Sequence, residues 1–98
     1  MSLFKLIEHS QGSYFVEGDM TFLTLNKINT FNFPSSAKEI LIDLDKVLHA
    51  DSAGLALIIE WIKQSKQQNT ALKFKNVPHQ LLTLAKLSDF NIENFLLS

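Results

Sequence analysis

The chain has 98 residues, of which 46% are hydrophobic and 19% charged, so it has the length of one domain and the apolar material for one core. Nine basic and ten acidic side chains give a formal net charge of −1, which offers no electrostatic indication of nucleic-acid or anionic-membrane binding. The absence of cysteine excludes disulfides, thiolate zinc sites and cysteine nucleophiles. Because the N-terminus is too polar for a signal peptide and no apolar run could span a bilayer, we expect a cytoplasmic protein.

The first half of the chain contains strand patterns and one short helical pattern. Residues 3–8 and 13–17 partly alternate and are separated by Ser-Gln-Gly, which predicts two strands joined by a tight turn. Residues 40–45 are almost continuously apolar, as in a central strand covered on both faces. Between them, residues 29–36 have the composition of a loop. A short helix is predicted by the three-residue spacing of Phe22, Leu25 and Ile28.

The strongest helical pattern covers residues 51–67. One buried stripe at i, i+3, i+4, i+7 is predicted for Leu55, Ile58, Ile59 and Ile62. At about 100° per residue, Leu57 and Trp61 project opposite this stripe, with Ala53, Gly54 and Ser65 near them. An exposed Leu and Trp beside small residues favour a docking surface for another protein. The alternative is that both pack under the C-terminal tail or the 29–36 loop.

The second half adds a strand, a helix and an apolar tail. In residues 71–75, Leu72 and Phe74 alternate with lysines, which predicts a strand with one buried face. Pro78 begins a helix, and residues 90–97 are apolar enough to dock on the domain. One side of that helix is formed by Leu81, Leu84 and Ala85. Strands separated by helices, after an initial antiparallel pair, predict an α/β domain with a mixed sheet.

No set of residues indicates catalysis or a cofactor. Asp43 and Asp45 lie at a strand end, where carboxylates usually solvate a turn rather than act as an acid/base pair. Ser52 has no identifiable histidine to activate it, and no glycine-rich phosphate loop is present. The histidines lack the i, i+4 spacing that places two metal ligands on one helical face; they are His9, His49 and His79. We therefore predict that the chain is not an enzyme and holds no metal or cofactor.

Asp51 and Ser52 precede the strongest helix, and two roles are open. Either residue could be the N-cap, whose side chain accepts a hydrogen bond from an amide of the first turn. Alternatively, Ser52 is a regulatory phosphoacceptor, because a hydroxyl at a helix N-terminus is accessible and a phosphate adds about two negative charges beside Asp51. Phosphorylation of Ser52 would then change the affinity for a partner, although this chain itself would catalyse no reaction.

These residues resemble a known family. Residues 51–55 (DSAGL) match the D-[S/T]-x-G-L motif that follows a buried strand in STAS domains, the family of bacterial anti-sigma factor antagonists and of domains attached to anion transporters. Residues 54–57 (GLAL) and 83–87 (TLAKL) are similar to the small STAS subunits of Mla-type phospholipid-transport ABC systems. Residues 18–21 (GDMT) occupy the place of the family's G-E-L-D, and Thr21 replaces the second acid.

The resemblance implies a single STAS domain over residues 1–98, with a mixed β-sheet packed in layers against about four α-helices. It also implies that the Asp51-Ser52 turn and the following helix face a partner. Ser52 matches the residue that is phosphorylated in the anti-sigma factor antagonists. The predicted partner-binding residues are Asp51, Ser52, Ala53, Gly54, Leu57 and Trp61.

Two functions are compatible with this family. The first is a regulatory or assembly subunit that binds the ATPase of an Mla-type transporter, lies at the inner membrane only through that partner, and supports outer-membrane lipid asymmetry. The alternative is an anti-sigma factor antagonist, whose binding to an anti-sigma kinase ends when Ser52 is phosphorylated. The GLAL and TLAKL stretches favour the first function. Neither function involves nucleic acid or direct membrane insertion.

Overall fold

The structure is a computed structural model that describes residues 3–25 and 38–97. The predicted 29–36 loop and Ile28 lie outside the described residues. In chain order the elements are β1 (Lys5–Ser10), β2 (Ser13–Glu17), α1 (Phe22–Leu25), β3 (Glu39–Asp43), α2 (Ser52–Gln67), β4 (Ala71–Lys75), α3 (His79–Leu87) and a 3-10 helix (Ile92–Phe95).

The four strands form one mixed sheet in the order β1-β2-β3-β4. β1 and β2 are antiparallel, as predicted, and β3 runs parallel to both β2 and β4. Gly12 makes the β1–β2 turn with φ of 80°, and a Cβ there would lie 2.8 Å from the carbonyl oxygen of Glu39. The parallel pair β3–β4 is joined through α2, which places that helix against the sheet.

One face of the sheet carries the core. Ile40 and Ile42 of β3 are buried, as are Leu72 and Phe74 of β4, which confirms the predicted alternation in β4. β3 is an interior strand, as predicted, but Leu41 on its other face is only half-buried. The prediction that β3 is covered on both faces is therefore wrong at Leu41, within the part of the chain that the structure describes.

The buried face of α2 differs from the predicted stripe. Leu55, Ile58 and Ile62 are buried, but Ile59 is 36% exposed and Trp61 is 0% exposed. The predicted outward orientation of Trp61 is wrong, because its ring packs against those of Phe4 and Phe74, with centroids 6.2 and 6.3 Å away. At about 100° per residue, the buried arc is rotated by about 50° from the predicted one.

The rotation of α2 has a packing cause. α2 contacts β4 on the sheet, and it also contacts α1 and α3. Gly54 lies against Met20, just before α1, and against Leu81 of α3. Trp61 contacts Phe4 and Phe74, a residue of β4. A helix with neighbours on two sides buries an arc whose centre periodicity alone does not fix.

The C-terminal part packs as predicted. α3 begins after Pro78 and buries Leu81 and Ala85. The tail docks beside β4, where the amide of Leu97 donates to the carbonyl of Phe74 at 2.8 Å. The described ranges contain three α-helices and one 3-10 helix, against the expected four or so, and no described helix is long and apolar enough to cross a membrane.

Candidate functional site

Asp51 is the N-cap of α2 and also forms a hydrogen bond with the first residue of α1. Its Oδ1 accepts a hydrogen bond from the amide of Ala53 at 2.9 Å, and its Oδ2 accepts one from the amide of Phe22, the first residue of α1, at 3.0 Å. Helices leave the amides of their first turn without internal partners. One carboxylate therefore stabilises the starts of α1 and α2 together.

Ser52 is the first residue of α2 and is exposed. Of the two cap candidates, Asp51 supplies the capping oxygen. Ser52 is therefore not the cap, and its position leaves it accessible to a partner or to a modifying enzyme.

The segment before α1 packs directly on the Asp51-Ser52 turn. The amide of Met20 donates to the carbonyl of His49 at 2.8 Å, and the amide of Asp51 donates to the carbonyl of Met20 at 3.1 Å. A Cβ on Gly54 would lie 2.6 Å from that same Met20 oxygen. The glycine of the DSAGL motif is thus required by close packing of α2 on this segment.

Thr21, which replaces the family's second acid, is held by local hydrogen bonds. Its amide donates to Oγ1 of Thr24 at 3.1 Å, and the Thr24 hydroxyl lies 2.7 Å from the carbonyl of Asp19, to which it donates. The carbonyl of Thr21 accepts from the amide of Leu25 at 2.9 Å. Thr21 thus immediately precedes α1, and an uncharged residue lies next to the Asp51–Phe22 hydrogen bond.

Three large apolar side chains near this turn are exposed. Phe22 is 64%, Leu23 69% and Leu48 74% exposed. The Asp51–Phe22 and Met20–His49 hydrogen bonds bring the segments that carry them together. We call these three residues the apolar rim. Sequence reasoning missed the apolar rim, because the exposure of its residues depends on how segments that are distant in sequence pack together.

The predicted partner-binding residues do not all reach the surface. Ser52 is exposed, and Asp51, Ala53 and Leu57 are half-buried, with Leu57 packed against the core. Gly54 and Trp61 are buried, so the expectation that they face a partner is wrong. Close packing against Met20 accounts for Gly54, and the aromatic contacts across the core account for Trp61.

The carboxylate of Asp43 stabilises the turn at the end of β3. Oδ1 of Asp43 accepts from the amide of Asp45 at 2.9 Å and from Nδ2 of Asn76 at 3.1 Å. Lys75 Nζ lies 3.8 Å from Asp43 Oδ2. The Asp43 side chain therefore stabilises the turn, as predicted, and Asp45 contributes its backbone amide. Within residues 3–25 and 38–97, no cluster of three or more His, Asp or Glu side chains could hold a metal ion.

Comparison with known proteins identifies the family. No curated protein is significantly similar in sequence to the chain. Among solved structures, the fold is similar to that titled "Structure of the Anti-Sigma Factor Antagonist SpoIIAA in its Unphosphorylated Form", with a TM-score of 0.63, 16% identity, and coverage of 97% of this chain and 87% of that one. STAS domains are in general non-catalytic regulatory or binding domains. A family model described as "Mlab, STAS domain" matches residues 16–98, and the chain therefore belongs to this STAS domain family.

Proposed function

We propose that the chain is a non-enzymatic regulatory subunit that docks on the cytoplasmic ATPase of an Mla-type phospholipid-transport ABC complex. In this role it supports assembly or activity of the ATPase and so contributes to outer-membrane lipid asymmetry. The observation that carries the proposal is the family match, described as Mlab, over residues 16–98. The subunit needs no metal or cofactor, and it lies in the cytoplasm, at the inner membrane only through its partner.

The docking surface of this proposal is centred on Ser52. The N-cap hydrogen bond between Asp51 and Ala53 flanks Ser52 on both sides in sequence. The apolar rim lies on the neighbouring segments and supplies the large side chains that commonly dominate binding energy at protein interfaces. Gly54, Leu57 and Trp61 act indirectly, because their packing fixes the position of α2.

A second candidate function is an anti-sigma factor antagonist. The exposure of Ser52 favours it, because a kinase must reach the hydroxyl that it phosphorylates. The fold is also similar to that of SpoIIAA, whose structure title names such an antagonist. In this function an anti-sigma kinase is the partner, and phosphorylation of Ser52 ends the binding.

Binding to two purified proteins separates these functions. We expect the chain to bind the transport ATPase subunit in isothermal titration calorimetry. We also expect it to increase or maintain the rate at which that subunit hydrolyses ATP. Binding to an anti-sigma kinase, with phosphate transfer from ATP to Ser52 and none to Ser52→Ala, would instead establish the second function. Genes for an ATPase, a permease and a substrate-binding protein beside that of the chain favour the first, and genes for a kinase or sigma factor favour the second.

A further inference from the structure

An open cleft lies between α3 and the 3-10 helix, where the chain leaves the C-terminal end of α3. Its volume of about 580 Å³ is within the range of roughly 300–1,000 Å³ that is common for small-molecule sites. The lining combines apolar and charged side chains, which include Leu82, Phe90 and Leu96 and, among the charged ones, Lys86, Asp89 and Glu93. We call this cavity the α3 cleft.

The α3 cleft is separate from the Asp51-Ser52 turn. α3 begins beside that turn, because Gln80 Oε1 accepts a hydrogen bond from the amide of Ala50 at 3.2 Å. Leu87, the last residue of α3, lies about 10 Å further along the helix axis. A ligand in the α3 cleft and a partner at the turn would therefore use opposite ends of α3.

We propose that the α3 cleft binds a small organic cation with an apolar body, of the alkylammonium class. The ammonium group is held by the carboxylates of Asp89 and Glu93, and the hydrocarbon body lies on the apolar lining. This inference goes beyond the proposed function and does not depend on it, because the cleft is not part of the docking surface around Ser52.

The charge of the α3 cleft favours a cation. Asp89 and Glu93 supply two carboxylates to the lining, and Lys86 supplies one ammonium group. Within residues 3–25 and 38–97, neither carboxylate forms an ion pair or accepts a hydrogen bond. The last carbonyls of a helix add partial negative charge, and Asp89 directly follows the C-cap of α3. The cleft therefore has an excess of negative charge that the described residues do not neutralise.

Asp89 is an unfavourable residue for the end of a helix. Its φ of 56° lies in the left-handed region, where Gly and then Asn are preferred, and the helix dipole repels a carboxylate at this end. In the described ranges, the other non-glycine residues with positive φ are both asparagines, Asn69 and Asn76. Asn69 ends α2 with the same backbone hydrogen bonds that surround Asp89 at the end of α3. The charged residue thus replaces the favourable one only at the helix end that lines the α3 cleft.

The remaining lining suits an organic cation better than a metal ion. The ring of Phe90 is stacked on that of Phe95, with centroids 6.3 Å apart. Lys66 Nζ lies 5.5 Å from the Phe95 centroid, so this aromatic pair already attracts one ammonium group of the domain. Leu82 and Leu96 add apolar area on which a hydrocarbon body is removed from water. A hydrated metal ion would gain nothing from these apolar contacts.

The test measures binding of hexylammonium to the full chain by NMR chemical-shift titration, with hexanol and hexanoate as neutral and anionic probes of the same length. We expect saturable shifts at the amides of residues 89–96 with hexylammonium. Hexanol should bind at least about tenfold more weakly, because it lacks the charge that the two carboxylates and the aromatic ring attract. Hexanoate should bind more weakly still, and added salt should weaken the binding of hexylammonium.

Asp89→Asn distinguishes a ligand-binding role from a structural one. The variant should bind hexylammonium about threefold more weakly, yet unfold at a higher temperature than the wild type, because Asn suits the left-handed position and lacks the charge. Glu93→Gln should also weaken binding about threefold. Asn69→Asp is the matched control, because it makes the reverse change at the equivalent end of α2. It should lower the unfolding temperature and leave the affinity within about twofold of the wild type.

Several results would overturn the inference. One is the absence of saturable hexylammonium binding to the wild type, and another is binding that Asp89→Asn and Glu93→Gln both leave unchanged. Equal affinity for the three probes would show a merely apolar contact, and tighter binding of hexanoate would show that Lys86 selects an anion. The proposed function is tested separately by binding to the ATPase subunit and the kinase, so it stands or fails independently of these results.

Discussion

Oδ2 of Asp51 accepts a hydrogen bond from the backbone amide of Phe22 at 3.0 Å, which joins the start of α1 to the start of α2 across 29 positions of sequence. Oδ1 of the same carboxylate caps α2 through the amide of Ala53. The acid of the DSAGL motif therefore fixes Ser52 and the apolar rim relative to each other. A partner that contacts both Ser52 and the apolar rim therefore depends on the Asp51–Phe22 hydrogen bond.

Asp51→Ala should destabilise the domain by about 1–2 kcal/mol, because it removes the cap of α2 together with the bond to Phe22. Asp51→Asn keeps one oxygen acceptor and should lose less. Urea denaturation gives the free energy of unfolding, and hydrogen exchange at the Phe22 amide should become faster in both variants. Asp45→Ala removes an exposed acid that caps no helix, and a comparable loss in that control would contradict the assignment.

Gly54→Ala should destabilise the domain by about 1–3 kcal/mol, although Ala is normally the better helix residue by about 1 kcal/mol. The reason is the 2.6 Å approach of the new Cβ to the carbonyl oxygen of Met20. Ala56→Gly on the exposed side of α2 is the matched control and should cost only about 0.5–1 kcal/mol. Thermal unfolding of the two variants tests this, and a more stable Gly54→Ala protein would show that the Met20 contact does not restrict α2.

Trp61→Ala should reduce the free energy of unfolding by about 3–5 kcal/mol, because it leaves a cavity where the indole packs against Phe4 and Phe74. Trp61→Phe keeps an aromatic ring and should cost less. Since Trp61 is the only tryptophan, the free protein should already show blue-shifted, quencher-protected fluorescence. Emission typical of solvent-exposed indole would be inconsistent with the buried position. Ile59→Ala, on the exposed edge of the helix, should cost clearly less than Trp61→Ala.

Ser52→Ala should change the free energy of unfolding by less than about 0.5 kcal/mol, because Asp51 and not Ser52 provides the cap. Ser52→Glu should keep the fold but weaken partner binding, since it places an uncompensated charge beside Asp51 at the docking surface. Ser10→Glu, at an exposed position of β1, is the matched control and should leave binding unchanged. Equal affinity of the wild type and Ser52→Glu for both candidate partners would place the docking surface elsewhere.

Burial raises the pKa of Tyr14 above the usual value of about 10, and the charge of Glu8 and a hydrogen bond to its side chain raise it further. The folded state thus favours the neutral phenol. The resulting stabilisation is complete below the pKa of the unfolded chain and is lost as the pH rises through the higher folded value. Tyr14 is the only tyrosine, so its ultraviolet absorbance reports the titration directly. Glu8→Gln should lower this pKa, and a wild-type midpoint at the value of free tyrosine would refute the prediction.

Much of the fold follows from local patterns. The β1–β2 pair, β4 and the docked tail were predicted because alternation, turn residues and apolar runs act over a few neighbouring positions. The DSAGL motif likewise located the N-terminus of α2, because an N-cap side chain bonds to amides only two or three residues further along the chain. These features depend on interactions that are close in sequence.

Tertiary contacts decided the rest. Periodicity shows that α2 is amphipathic, but the contacts of α2 with α1, α3 and β4 set which arc is buried. Trp61 is therefore buried and Ile59 exposed, the reverse of the prediction. The sequence offered both Asp51 and Ser52 as caps. The structure shows Asp51 as the cap of α2, and the approach of α1 adds a second hydrogen bond, from the amide of Phe22, to the same carboxylate. The apolar rim also depends on distant segments meeting, because exposure is a property of the assembled surface and not of a residue's own neighbours in sequence.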